Sequence, residues 1–202
     1  MAYSDFTLDD LELKFGVTNH VGYFFDNIKP VPASSDLLEE LEYVKTLPVR
    51  TEKAKSEWIV VPILKALRKR NDAYFTIYSG ETLTADAKKG LKGECDFIIA
   101  KDIKTFGISY PILQIVEAKK NDIELGVPQC AAQLVGAKLF NEKKGVLLSK
   151  IYGCVTTGNE WLFMVLEDNK ILIDSKVYYL TEIEKILGVF QTIIDYYKKE
   201  LK

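Results

Sequence analysis

The stretch Pro111-Ile112-Leu113-Gln114-Ile115-Val116 is short, mostly apolar or β-branched, and runs straight into Glu117-Ala118-Lys119. That character is expected of a strand covered on both faces of a sheet. A buried strand does not end in two opposite charges without a reason. Glu117 and Lys119 are two apart, so on a strand they project from the same face. A second buried-strand pattern, Phe97-Ile98-Ile99-Ala100, is headed by Asp96. If the two strands are neighbours, Asp96 and Glu117 converge with Lys119 beside them. Two carboxylates at the rim of an apolar sheet form a hard-oxygen site suited to Mg²⁺. An ammonium next to them can hold a phosphate or polarise a water, its charge compensated by the carboxylates.

The triplet acid-x-Lys is weak by itself, since the chain contains it eight times, the copies starting at Glu12, Asp86, Asp102, Glu117, Glu142, Asp168, Asp174 and Glu200. Context selects among them. Only the Glu117 copy directly ends an apolar run of this kind and precedes a helix with polar residues at helical spacing. That helix opens at Gly126-Val127-Pro128, with proline suited to the first turn. Its Gln129 and Gln133 are four apart and share a face. A solvated glutamine pair fits that spacing as well as a pair orienting Lys119 or a phosphate.

Composition narrows the chemistry. The 202 residues, 48% of them hydrophobic, suit one globular domain, residues 1–202, with a sizeable core. No run is long enough to span a membrane and no secretory pattern opens the chain, so a cytoplasmic location is the default expectation. Cys95, Cys130 and Cys154 match no zinc spacing and read as buried free thiols. The lone histidine, His20, lies in a polar, loop-like stretch, against His-dependent nucleases, Ser-His-Asp hydrolysis and most zinc enzymes. Residues 1–45 hold nine acidic and three basic residues, and the remainder holds 20 acidic and 24 basic. A mildly positive remainder is compatible with nucleic acid and equally with a mixed solvated surface.

The pattern orders the rest. Residues 1–34 read as irregular, pinned to the core by Tyr23, Phe24 and Phe25, with Ile28 to Pro32 an extended connector. Leu37 to Leu47 reads as an amphipathic helix with Leu37, Leu38, Leu41, Tyr43 and Val44 on its apolar side, ended by Pro48. Thr51 caps the next helix, Glu52 occupies its first turn, and Pro62 should kink it or lie where a turn relaxes. Within it Glu57 is either an exposed acid or a third carboxylate for Asp96 and Glu117. Its lysines and arginines, from Lys53 to Arg70, either contact phosphates or keep the helix soluble. Strands are expected at Tyr74 to Ser79 and Leu83 to Ala85, a mobile basic turn at Asp86 to Lys92, and a loop around Lys101 to Ser109. Later strands are expected at Ile151 to Thr157, Trp161 to Leu166 and Lys170 to Ile173, with Gly158-Asn159 as a hairpin turn. Thr181 is placed as the cap of a final helix whose aromatics, where exposed, could form a dimer contact.

This order, with Ser56-Glu57, Gly93-Glu94-Cys95-Asp96-Phe97, Glu117-Ala118-Lys119 and Gln129 or Gln133, resembles the core of the PD-(D/E)XK nuclease superfamily. The match covers roughly residues 51–165, with 1–50 an N-terminal arm and 166–202 the last strands and helix. TEKAKSE, GECDFII, VEAKKNDIELGVPQCAAQ and YGCVTTGNEWLF are also similar to a group of single-domain bacterial proteins in that superfamily. The resemblance implies an α/β fold with a restriction-endonuclease-like core, a central mixed β-sheet flanked by helices. It implies a metal-dependent nuclease acting on nucleic acid, most readily DNA. Asp96, Glu117 and the backbone carbonyl of Ala118 would bind Mg²⁺, with Mn²⁺ as a substitute. Lys119 would orient or deprotonate the attacking water, and Glu57 would support the metal or its waters. The fold often works as a homodimer. Two other readings stand beside this one: a noncatalytic nucleic-acid-binding or interaction module, and a domain in which Glu117 and Lys119 are a structural pair.

Overall fold

The computed structural model describes residues 1–25, 27–101 and 105–202. The Asp102-Ile103-Lys104 triplet, within the loop expected around Lys101 to Ser109, lies outside the described residues.

Among the described residues, seven strands form one mixed sheet: β1 (Thr18–Gly22), β2 (Phe75–Asp86), β3 (Leu91–Lys101), β4 (Ile112–Ala118), β5 (Lys150–Thr156), β6 (Glu160–Glu167) and β7 (Lys170–Tyr179). Their spatial order is β1-β7-β6-β5-β4-β3-β2. β4 pairs parallel to β5, and β1 parallel to β7. The other neighbours are antiparallel. Parallel neighbours need a long crossover, and helix α5 (Val127–Lys143) supplies it between β4 and β5. The other helices are α1 (Leu8–Phe15), α2 (Ser35–Val44), α3 (Glu52–Lys55), α4 (Val61–Arg70) and α6 (Ile183–Glu200).

Every residue of β4 is buried. Its neighbours in sequence divide between the two sides of the sheet. Ile115 and Val155 join the core under α5, with Cys130, Ala131 and Leu134. Val116 and Cys154 join the core under α4 and α6, with Ile63, Phe163 and Phe190. This is the period of two that strands impose. Burying each large side chain stabilises the fold by about 1.5–3 kcal/mol. Small residues bring α5 close to the sheet: a Cβ at Gly153 would lie 2.9 Å from Cys130 Sγ.

The helix that faces the site is not uniform. Thr51 Oγ1 accepts the Ala54 N–H at 3.1 Å and starts α3. A π turn, Ser56–Val60, follows, closed by the Val61 N–H on the Ser56 carbonyl. Pro62 comes immediately after. It has no N–H to donate and its ring crowds the preceding turn, and the widened turn relieves both constraints.

Several expectations need correction. Residues 1–34 are not irregular throughout: Thr7 and Asp10 form a capping box for α1, Gly16 ends it in the left-handed region, and β1 follows, with the longest irregular stretch beyond Gly22 among the described residues. His20 therefore sits on an exposed edge strand, and Tyr23 is exposed while Phe24 and Phe25 pack on the core. Leu38 and Tyr43 lie outside the apolar side of α2, which ends at Val44. Lys65 and Lys69 on α4 pair with Glu40 and Asp36 of α2. The two short strands expected before Asp86 are one strand, β2. The basic turn after it is built on Asp86 Oδ1, which accepts the N–H groups of Lys88 and Lys89. Thr181 does not cap α6, whose N-terminus has no side-chain cap. The α6 aromatics Phe190 and Tyr197 are core residues, and the Tyr197 hydroxyl donates to the Leu113 carbonyl at 2.6 Å. Tyr196, on the same helix, is partly exposed. Among the described residues no helix is long and apolar enough to cross a membrane.

Candidate active site

The site lies where β3 and β4 part. Their pairing reaches Phe97↔Val116 and stops, whereas β4 continues alongside β5 to Ala118↔Thr156. Past Val116 the β3 backbone no longer serves the edge of β4. The carboxylate of Asp96 takes over: its Oδ2 accepts the Ala118 N–H at 2.7 Å. The next amide, that of Lys119, donates to the Thr156 carbonyl at 2.8 Å. The strand geometry is thus kept while a side chain replaces a backbone acceptor.

Glu117 lies one residue back and is 2% exposed. A buried carboxylate needs partners. Lys119 Nζ donates to its Oε1 at 2.7 Å, and Gln133 Nε2 donates to its Oε2 at 2.8 Å. Lys119 Nζ also donates to Gln129 Oε1 at 3.0 Å. The i, i+4 glutamines of α5 therefore serve the two ends of one ion pair. Burial first, and the charge of Asp96 second, raise the Glu117 carboxyl to about 7, against the pull of Lys119 and Gln133. Burial likewise raises Asp96, opposed by the Ala118 N–H and Lys119. For Lys119 burial works downward, but Glu117, Asp96 and Glu52 outweigh it and raise the ammonium. Lys119 is thus a cation at neutral pH. The three cysteines are buried, and desolvation raises their thiols, which disfavours the thiolate.

Asp96 also lines a cleft of about 330 Å³ whose wall includes Glu52, Lys53, Ser56, Glu57 and Glu94. Glu57 stands at the rim. It is 55% exposed and pairs with Lys53 at 3.8 Å. It shares the cleft with Asp96, but no direct bond joins it to the Glu117–Lys119 pair. Glu52, the first residue of α3, acts electrostatically on both Asp96 and Lys119. Sequence reasoning passed over Glu52, because an acid in the first turn of a helix is explained by the helix dipole alone. Its position one turn before Ser56-Glu57 was the available signal.

The donor set bears on a metal. Among the described residues no group of three or more His, Cys, Asp or Glu side chains forms a ready-made cage. Mg²⁺ does not need one, because it commonly takes one or two carboxylates and completes its shell with waters and substrate phosphate. Asp96 and Glu117 supply two carboxylates whose proton affinities burial has raised, the chemistry of a pair that gains from a shared cation. These residues fit a hard divalent ion. No protein-family model and no curated protein matches the chain.

Proposed function

We propose that this protein is a metal-dependent phosphodiesterase that cleaves nucleic acid, most readily DNA, on a restriction-endonuclease-like core. The observation that carries the reading is the grouping of Asp96, Glu117 and Lys119 at the point where β3 and β4 separate, with Gln129 and Gln133 fixing the last two. It is the set of residues the PD-(D/E)XK resemblance singles out.

Asp96, Glu117 and the Ala118 carbonyl would hold Mg²⁺ or Mn²⁺, with Glu57 or Glu52 supporting its waters from the helix. Bound there, the ion supplies positive charge against the phosphate and the leaving oxygen and makes a bound water more acidic. The chain's own residues do the rest. An ammonium has three N–H donors. Two of those of Lys119 go to Glu117 and Gln129. The third is left for a water or a phosphate oxygen. Gln129 and Glu117 fix the direction of that donor, so Lys119 meets the reacting group without reorganising. Cutting both strands of a duplex at one visit would take two such sites, as a homodimer provides.

A second reading has its own observation. Both oxygens of Glu117 already have protein partners, which suits a structural pair and is compatible with a noncatalytic nucleic-acid-binding module. The experiment is cleavage of single-stranded, duplex and branched DNA, and of RNA, with Mg²⁺ or Mn²⁺, beside Lys119→Ala prepared identically. Cleavage lost in the variant supports the enzyme. A folded wild-type protein that binds metal and DNA yet cuts nothing supports the module.

A further inference from the structure

Gly126 immediately precedes α5, seven residues after Lys119. Its backbone is ordinary, with φ −85° and ψ −19°, a conformation open to any residue. Glycine is therefore not there for backbone freedom. The space above its Cα gives the reason. A Cβ at this position would lie 3.0 Å from Lys119 Cγ and 3.2 Å from Lys119 Cε. It would also come 2.5 Å from Val155 Cγ1 on β5. The aliphatic stem of Lys119 thus passes across the bare backbone of Gly126 on its way to Glu117 and Gln129.

We propose that Gly126 is a positioning residue for Lys119: the missing side chain forms a saddle that sets the path of the lysine stem and so the place of its ammonium. The role of Lys119 in cleavage rests on the function proposed above; the positioning itself does not. The far end of a free lysine would swing aside for a methyl group at small cost. This stem is held at both ends, by the strand at its Cα and by Glu117 and Gln129 at 2.7 and 3.0 Å from its Nζ. A displacement of a few tenths of an ångström at Cγ and Cε must therefore be passed on to the ammonium. Hydrogen bonds of that length tolerate little of it.

The two crowded neighbours allow the claim to be tested against a packing role. Gly126→Ala meets both Val155 and Lys119. Gly126→Ala with Val155→Ala removes the overlap at Val155 and keeps the overlap at Lys119; Val155→Ala alone is the control. The measurements are crystal structures of the wild type and the variants, and steady-state cleavage of the best DNA substrate. In the double variant we expect recovered thermal stability relative to Gly126→Ala, but Lys119 Nζ moved beyond hydrogen-bond distance of Glu117 or Gln129. We expect kcat reduced tenfold or more with KM within threefold of the control. Lys119 held within 3.2 Å of both partners in the double variant, or kcat recovered along with stability, overturns the proposal and makes Gly126 a packing residue only. If the ammonium is displaced as expected but the wild-type protein cleaves no substrate, the positioning stands and the nuclease reading falls.

Discussion

Lys119 Nζ sits 2.7 Å from Glu117 Oε1, across the single intervening residue Ala118, at the end of a strand with no polar position before it except Gln114. The lysine is 19% exposed and the glutamate 2%. The carboxylate therefore depends on the ammonium far more than an exposed partner would.

Removing the cation should hurt only where the carboxylate is charged. Lys119→Met keeps most of the stem and leaves Glu117 buried without its counter-charge. Breaking a buried pair from one side is costly, and with a lysine still partly hydrated we expect about 2 kcal/mol lost at pH 8. At pH 5 the Glu117 carboxyl, already raised to about 7, is protonated and the loss should shrink. Urea unfolding at the two pH values checks this, and equal losses would contradict it.

The reverse substitution gives the opposite pH trend. Glu117 binds its proton more tightly folded, at about 7, than at the ordinary glutamate value of 4.5. That contribution to stability is complete below about pH 4.5 and is lost as pH rises through 7. Glu117→Gln has no such proton to lose. Its stability relative to wild type should therefore improve from pH 5 to pH 8, by roughly 2–3 kcal/mol. A flat difference over that range would show that Glu117 is not raised. Metal-dependent cleavage by wild type should rise over the same range, since the metal competes with this proton.

Gln133 is fully buried and donates to Glu117 Oε2. Gln133→Leu keeps the volume and removes the donor, leaving one carboxylate oxygen without its partner. We expect about 1–3 kcal/mol of destabilisation at pH 8, and cleavage down about tenfold or more, as for other residues that orient metal ligands. Activity equal to wild type would show that the Glu117 orientation does not depend on α5.

Two helix carboxylates compete for a role in the proposed site. Glu52 acts on Asp96 and Lys119, while Glu57 is exposed and paired to Lys53. Glu52→Gln should raise the Mg²⁺ concentration for half-maximal cleavage at least about tenfold, and Glu57→Gln less than about threefold. A Mg²⁺ titration of both variants decides, and the reverse order would restore Glu57 as the third carboxylate.

What the residues revealed in advance follows from how locally each feature is determined. The burial of β4, the opening of α5 with Pro128 in its first turn and the shared face of Gln129 and Gln133 all rest on spacing within one element, and the structure has them. The convergence of Asp96 with Glu117 needed only that two apolar strands be neighbours. Glu52 and Glu57 could not be ranked this way, because the π turn Ser56–Val60 breaks the 3.6-residue period by which helix faces are read. Strand β1 was hidden for another reason. Four of its five residues are exposed, so it has no apolar alternation to show. Its place is set by backbone pairing with β7, to which side chains contribute little.

The hydrogen bond from the Ala118 amide to Asp96 has a spectroscopic consequence. In the interior of a sheet, amide protons exchange with solvent only when strands separate. This amide is held instead by a side chain whose grip depends on its charge. Protonating Asp96, or drawing its carboxylate toward a cation, loosens that hold while the Lys119 amide, anchored to the Thr156 carbonyl, stays as it was. Two adjacent residues thus form a reporter and its internal reference. The ratio of their deuterium-exchange rates reads the state of the site without any substrate being present.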